Sequence, residues 1–172
     1  MFTTAEVTSR ILTVLRDAFN GRPTHLERDE DSDPTFWEGE IEGADLTLRL
    51  QGTSAEVVLN WFSGETDQVQ AETYEQLASW AFAICRRKRL QRFITPRHFT
   101  TLVNEIFGTS LDYEANWPHR HRIWLKDKEM KYEWGEDLCR LRVSWDGEAL
   151  FLDDPDEAVA WLTGLHSELE AA

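Results

Sequence analysis

Residues 36–62 read FWEGEIEGADLTLRLQGTSAEVVLNWF, and their periodicity decides the fold. Trp37 and Ile41 alternate with Glu38, Glu40 and Glu42. Leu46, Leu48 and Leu50 alternate with Asp45, Thr47 and Arg49, and Val57, Leu59 and Trp61 alternate with Glu56, Val58 and Asn60. Successive side chains on a strand point to opposite faces, so a period of two gives each segment one apolar and one wet face. Gly43 and Gly52 punctuate the runs where the chain must reverse. The stretch predicts three short strands in an antiparallel meander with an acidic outer face.

On the N-terminal side, Val7, Ile11, Leu15 and Phe19 repeat at i, i+4, and Thr3 followed by Glu6 has capping-box spacing, so residues 4–19 predict a helix that Gly21 stops. Residues 22–35 hold Glu27, Asp29, Glu30, Asp31 and Asp33 and read as an exposed acidic loop. Beyond the meander, Thr73 and Gln76 cap a helix over 74–91 with Leu77, Trp80, Ala81 and Ile84 as its stripe. Thr95-Pro96 opens another, apolar through Phe99, Leu102, Val103, Ile106 and Phe107 and ended by Gly108. Strand patterns cover His121–Leu125, Met130–Trp134, Leu138–Trp145 and Ala149–Leu152, and Asp154-Pro155-Asp156-Glu157 caps a last helix.

Helix, strands, helix thus occurs twice. Trp61-Phe62-Ser63-Gly64 and Ser144-Trp145-Asp146-Gly147 hold comparable turn positions, so a two-fold internal repeat is one reading and recurrence of a common α+β order the other. The expected architecture is α+β, antiparallel meanders packed with helices. Residues 1–92 form a first lobe and 93–172 a second, packed as one unit.

The chain has 172 residues, with 18 Lys+Arg against 32 Asp+Glu, a net charge of −14. A surface of that sign excludes a protein whose whole exterior grips nucleic acid or an anionic membrane. No apolar run reaches transmembrane length and the N-terminus lacks a signal-peptide pattern, so a cytoplasmic protein with no membrane partner is expected. Cys85 and Cys139 form no CxxC pair and read as reduced core residues.

Motifs for chemistry are sparse. His119-Arg120-His121 places two imidazoles on one face of a strand, but no third ligand has the spacing and the flanking arginines disfavour a cation; the pair reads as a strand end. No G-x-S-x-G, GxxxxGK[ST] or GxGxxG occurs, and carboxylates are too abundant for any pair to stand out as an acid–base dyad. No enzyme, cofactor or metal is expected. The basic run is more informative. Arg86, Arg87, Lys88, Arg89, Arg92 and Arg97 fall within twelve residues that hold no acid, leaving 12 cations against 32 carboxylates elsewhere, a net −20. Cations at a helix C-terminus complement its dipole, and they also offer a docking patch for an acidic partner or phosphate. Trp37, Trp61, Trp80 and Trp145 are in phase with apolar neighbours. Trp117, Trp124 and Trp134 are less so and have Arg120, Arg122, Lys126, Lys128 and Lys131 nearby, as core residues, a protein-contact patch or a weak stacking surface for bases would.

The order of the 4–19 helix, the Phe36–Phe62 meander, the 74–91 helix and the strands through Leu152 resembles the type III secretion chaperone fold and the related YbjN-like proteins. The resemblance implies a homodimer that holds a partner protein against its sheet or helix faces without ATP or metal. The helix from Thr95 to Phe107 departs from the shortest form of that order. Charge would steer a basic client, such as a DNA-maintenance or single-strand-DNA-binding protein, to the acidic faces. Arg86, Arg87, Lys88, Arg89, Arg92, Trp117, Trp124 and Trp134 are the expected partner-binding residues. The leading alternative is an immunity protein or DNA mimic whose carboxylates at 27–33 and 38–45 replace phosphates in a basic toxin or nuclease. The third is direct single-strand binding through Trp124 and Trp134, with the overall charge against it.

Overall fold

The computed structural model describes residues 2–28, 31–90, 93–113, 120–135 and 140–172. It is α+β, with two antiparallel sheets, and forms two compact units, Met1–Leu90 and Gln91–Ala172. The first begins with one helical run: α-helical at Thr4–Glu6 (α1), π-helical at Val7–Ile11, and α-helical again at Leu12–Ala18 (α2). The Glu6 carboxylate accepts from the Thr3 backbone N–H at 3.0 Å and from its hydroxyl at 2.9 Å, which ties down the first turn. Asn20 and Gly21 follow with φ 54° and 88°, and the left-handed pair turns the chain out of the helix.

Five strands follow in sequential order: β1 (Glu27–Arg28), β2 (Phe36–Ile41), β3 (Ala44–Gln51), β4 (Ser54–Trp61) and β5 (Thr66–Ala71). Their period-two pattern buries Trp37, Leu46, Leu48, Val57 and Leu59 together with Val7, Ile11 and Leu15 of the helical run. Helix α3 (Tyr74–Lys88) completes this core with Leu77, Ala81 and Cys85. Gln76 accepts from the Thr73 N–H while the Thr73 hydroxyl accepts from Gln76 N–H at 3.2 Å, the reciprocal cap read from the sequence. The Cys85 thiol donates to the Ala18 carbonyl at 3.0 Å and joins α3 to α2.

In the second unit, α4 (Pro96–Phe107) precedes β6 (Arg120–Leu125), β7 (Lys128–Gly135), β8 (Arg140–Trp145) and β9 (Glu148–Leu152), and α5 (Pro155–Ala171) closes it. Two-residue turns join β6 to β7 and β8 to β9. Lys126 and Asp127 (φ 46° and 66°) form one, Asp146 and Gly147 (φ 50° and 85°) the other, the paired positive φ that suits hairpin twist. Tyr132, Met130, Leu141 and Val143 face Phe99, Leu102, Leu162 and Leu165 of α4 and α5 in one core. Thr95 caps α4 by accepting from His98 N–H at 3.1 Å, and Asp154 caps α5 by accepting from Glu157 N–H at 2.9 Å.

Several expectations need correction. The meander has five strands in place of three. The acidic stretch 22–35 is not a purely solvated loop: Pro23 and Leu26 are buried, and Glu27 and Arg28 pair with Glu38 and Trp37 at the edge of β2. One leucine and one proline suffice to anchor it, because Gly39 lets them approach the sheet backbone closely. Helix α3 stops at Lys88, as Arg89 adopts φ 54°. The two lobes carry five and four strands, so the helix–strands–helix order recurs with unequal strand counts. Leu138 and Cys139 lie outside the described residues. Among the described residues no helix is long and apolar enough to cross a membrane.

Candidate interaction surfaces

The helices cover one face of the first sheet and leave the other to solvent, and register decides what that outer face displays. Across the strands run Phe36, Arg49, Glu56 and Gln70; then Glu27, Glu38, Thr47, Val58 and Gln68; then Glu40, Asp45, Asn60 and Thr66. Glu27 stands directly opposite Glu38, and Glu40 directly opposite Asp45. Like charges in register destabilise a sheet by about 0.2–1 kcal/mol per pair. Glu38, Glu40 and Asp45 are exposed, and among the described residues none of their carboxylates makes an ion pair or side-chain hydrogen bond. Arg49, the one cation in these rows, lies over the Phe36 ring at 5.2 Å and reaches Asp33 at 3.5 Å. Asp33 is held below the usual carboxylate range by hydrogen bonds from the Thr35 hydroxyl (2.6 Å) and N–H (3.0 Å).

The basic run is less available than its charge suggests. Arg87 pairs with Asp67 and Lys88 with Glu65, both acids lying on or just before β5, and Lys88 also sits 4.6 Å over the Trp61 ring. Asp67 in turn accepts from the Trp61 indole N–H at 2.7 Å. The pairs fasten the end of α3 to the β4–β5 connection, so two of the expected partner-binding residues have structural partners. Arg86 and Arg89 are exposed; Arg92 lies outside the described residues. Arg97 is buried at the start of α4, its guanidinium 4.6 Å over the Tyr113 ring, and does not extend the patch.

The tryptophans also divide. Trp124 points away from the second core and is 61% exposed, the most exposed of the described tryptophans, whereas Trp134 is turned toward the core, edge-on to Phe93 at 6.4 Å. The hairpin turn at Lys126-Asp127 sets this outcome: it pairs Trp124 with Glu129, and five further residues along β7 bring Trp134 to the opposite face. Trp134 therefore drops out of the expected contact patch, and Trp117 lies outside the described residues. His121, half-buried, stacks between Tyr113 at 4.4 Å and Tyr132 at 5.3 Å, while His119 lies outside the described residues. No group of three or more His, Cys, Asp or Glu with metal-binding geometry occurs among the described residues.

The sequence set Trp124 beside Arg120, Arg122 and Lys131; the fold adds Arg142 to them and arranges them on one face. On the outer face of the second sheet, register aligns Arg120, Glu133 and Arg142 in one row and Arg122, Lys131 and Ser144 in the next. Glu133 joins Arg120 (2.8 Å) and Arg142 (3.4 Å), and Glu129 joins Arg122 (2.7 Å) and Lys131 (3.0 Å). Four cations thus share two carboxylates around a groove of about 820 Å³, with Asp112, His121 and Tyr132 also on its walls. No protein-family model and no curated protein sequence matches the chain.

Proposed function

We propose that the protein is a non-enzymatic binding adaptor of chaperone-like type, which takes a basic protein on the outer face of its first sheet. The observation that carries the reading is the pair of in-register acid contacts, Glu27 opposite Glu38 and Glu40 opposite Asp45. A sheet under selection for stability alone gains nothing from them, while a partner's lysines and arginines would relieve the repulsion on binding. The resemblance to type III secretion chaperones and YbjN-like proteins supports the same reading, together with a cytoplasmic homodimer. A DNA-maintenance protein with a basic surface fits as client. Light scattering that gives a monomer mass at micromolar concentration removes the dimer from the proposal.

The test is affinity purification with the full chain and with a variant carrying Glu38→Lys, Glu40→Lys and Asp45→Lys, followed by a salt titration on the protein recovered. Support is a basic protein lost by the variant whose affinity falls steeply between about 50 and 200 mM salt. A partner that the variant retains, and that stays bound at high salt, places the contact on an apolar surface and overturns the reading.

The same acid pairs favour a second reading, an immunity protein or DNA mimic. Here the recovered partner is a nuclease or toxin, and the protein inhibits it stoichiometrically. An adaptor leaves its client active.

A further inference from the structure

We infer that the outer face of the second sheet is a platform for single-stranded nucleic acid, in which the cations of β6, β7 and β8 take phosphates and Trp124 stacks on a base. The surface belongs to the second unit and stands independently of the acidic face. Along β6, Arg120, Arg122 and Trp124 occupy alternate positions, about 6.8 Å apart by strand rise, so two cations and a ring lie in line on one face. Lys131 and Arg142 widen the line across β7 and β8. Side-chain exposures of 77% for Arg120, 62% for Arg122, 52% for Lys131 and 50% for Arg142 leave all four open to a ligand. On β9, Phe151 lies in register with Arg142, is 39% exposed and carries Arg140 at 4.8 Å over its ring, adding a second aromatic at the far edge.

The two glutamates do not cancel this field. Four positive charges against Glu129, Glu133 and the Asp112 on the groove wall leave an excess of one, and each of the two glutamates bridges two cations and so holds them at fixed spacing. Arg120 and Arg122 both meet their glutamate through Nε. A guanidinium has five N–H donors, and its terminal nitrogens remain able to take a phosphate oxygen. The two units each carry 9 Lys+Arg and 16 Asp+Glu, so the groove is a local concentration of cations on an acidic unit. At about 0.1 M salt, charges more than about 10 Å away are largely screened, and the near field decides binding.

A single strand is favoured over duplex because an open sheet face with an exposed ring accepts splayed bases, which a duplex keeps stacked inside. It is favoured over an acidic protein segment because that segment would have no use for an exposed indole at the end of a line of guanidinium groups.

The experiment uses the full chain and a fluorescein-labelled oligothymidylate of about 16 nucleotides, read by anisotropy. Arg122→Ala with Lys131→Ala is expected to weaken binding at least tenfold and to lower the slope of log K against log salt by about 1.4. Trp124→Ala, at an exposed site where folding is not at risk, is expected to weaken it roughly tenfold while leaving that slope unchanged, and Trp124→Phe restores most of the affinity. Near-UV circular dichroism confirms that the double variant is folded; if it is not, Arg142→Gln and the Trp124 pair carry the test. No anisotropy change for the wild type at about 50 mM salt overturns the proposal. So does binding of a duplex as tight as that of the single strand and indifferent to Trp124→Ala, which would reduce the face to a phosphate contact. Binding of an oligoglutamate peptide but not of oligothymidylate overturns it in favour of an acidic protein segment.

Discussion

Gly39 sits on the core side of β2 with ordinary negative backbone geometry, and its requirement is for space. A Cβ there would lie 3.0 Å from Leu26 Cδ2, 3.1 Å from the His25 carbonyl oxygen and 3.3 Å from Pro23 Cβ. The leucine end can swing aside, but the backbone carbonyl and the proline ring cannot. Gly39→Ala is expected to lift residues 23–26 off the sheet and to lower stability by about 1–3 kcal/mol, measured as a fall in urea midpoint. At the same scale, burial pushes the Tyr132 phenol up to about 12, although the Thr100 hydroxyl beside it acts in the other direction. A folded value near 12 against about 10 unfolded means that the folded state holds the proton longer. The stability this represents is intact below pH 10 and is lost as pH rises toward 12. By pH 11 the loss is about 1.4 kcal/mol, and Tyr132→Phe should abolish it. Tyr74 is raised to about 12 as well, so the comparison of wild type with Tyr132→Phe at pH 8 and pH 11 isolates the buried residue's share. Burial also pushes the Cys85 thiol upward, and a thiol reagent should react with it only at the rate of unfolding.

Among elements, what could be read from sequence and what could not separates along a physical line. The caps at Thr73, Thr95 and Asp154 depend on residues three apart, and the strands of residues 36–61 depend on a strong local alternation; both are short-range signals. Strands β1 and β5 escaped because they are edge strands. Thr66–Ala71 exposes polar residues, as a protected sheet edge does, and a two-residue strand has no period to detect. The candidate surfaces split in the same way. The run at 86–89 is visible as charge, but Glu65 and Asp67, which engage Lys88 and Arg87, are some twenty residues away and meet them only through the fold. Arg120, Arg122, Lys131 and Arg142 come from three strands, and only the registers of β6 on β7 and of β7 on β8 make them one face. The π-helical stretch Val7–Ile11 has no sequence mark that we can name. Helix α3 offers a direct check on termination. Its last carbonyls are engaged from Arg89 N–H and Leu90 N–H, with Arg89 left-handed at φ 54°. Arg89→Gly should relieve that conformation and stabilise the first unit by about 0.5–1 kcal/mol. Thr73→Ala at the other end should cost about 1 kcal/mol, both read as shifts in thermal midpoint.

Over the whole molecule, the net charge of −14 divides into an acidic sheet face, a basic helix end tied down by Glu65 and Asp67, and a cationic sheet face. The acidic face opposes folding and favours binding, so one substitution should move the two in opposite directions. Removing one member of an in-register pair, as in Glu40→Gln, deletes the repulsion with Asp45 while keeping the side chain's size. The expected gain is about 0.2–1 kcal/mol in urea denaturation, with a matching loss of affinity for a basic partner. Salt should act with the same pair of signs: screening stabilises the isolated chain and weakens the complex. Were Glu40→Gln to destabilise the chain, the carboxylate would have a structural role and the face would lose its claim as a docking surface. A gain in stability without loss of affinity would leave the repulsion real and place the partner elsewhere. Only the combination of a firmer fold and a weaker complex is what a sheet face kept acidic for recognition requires.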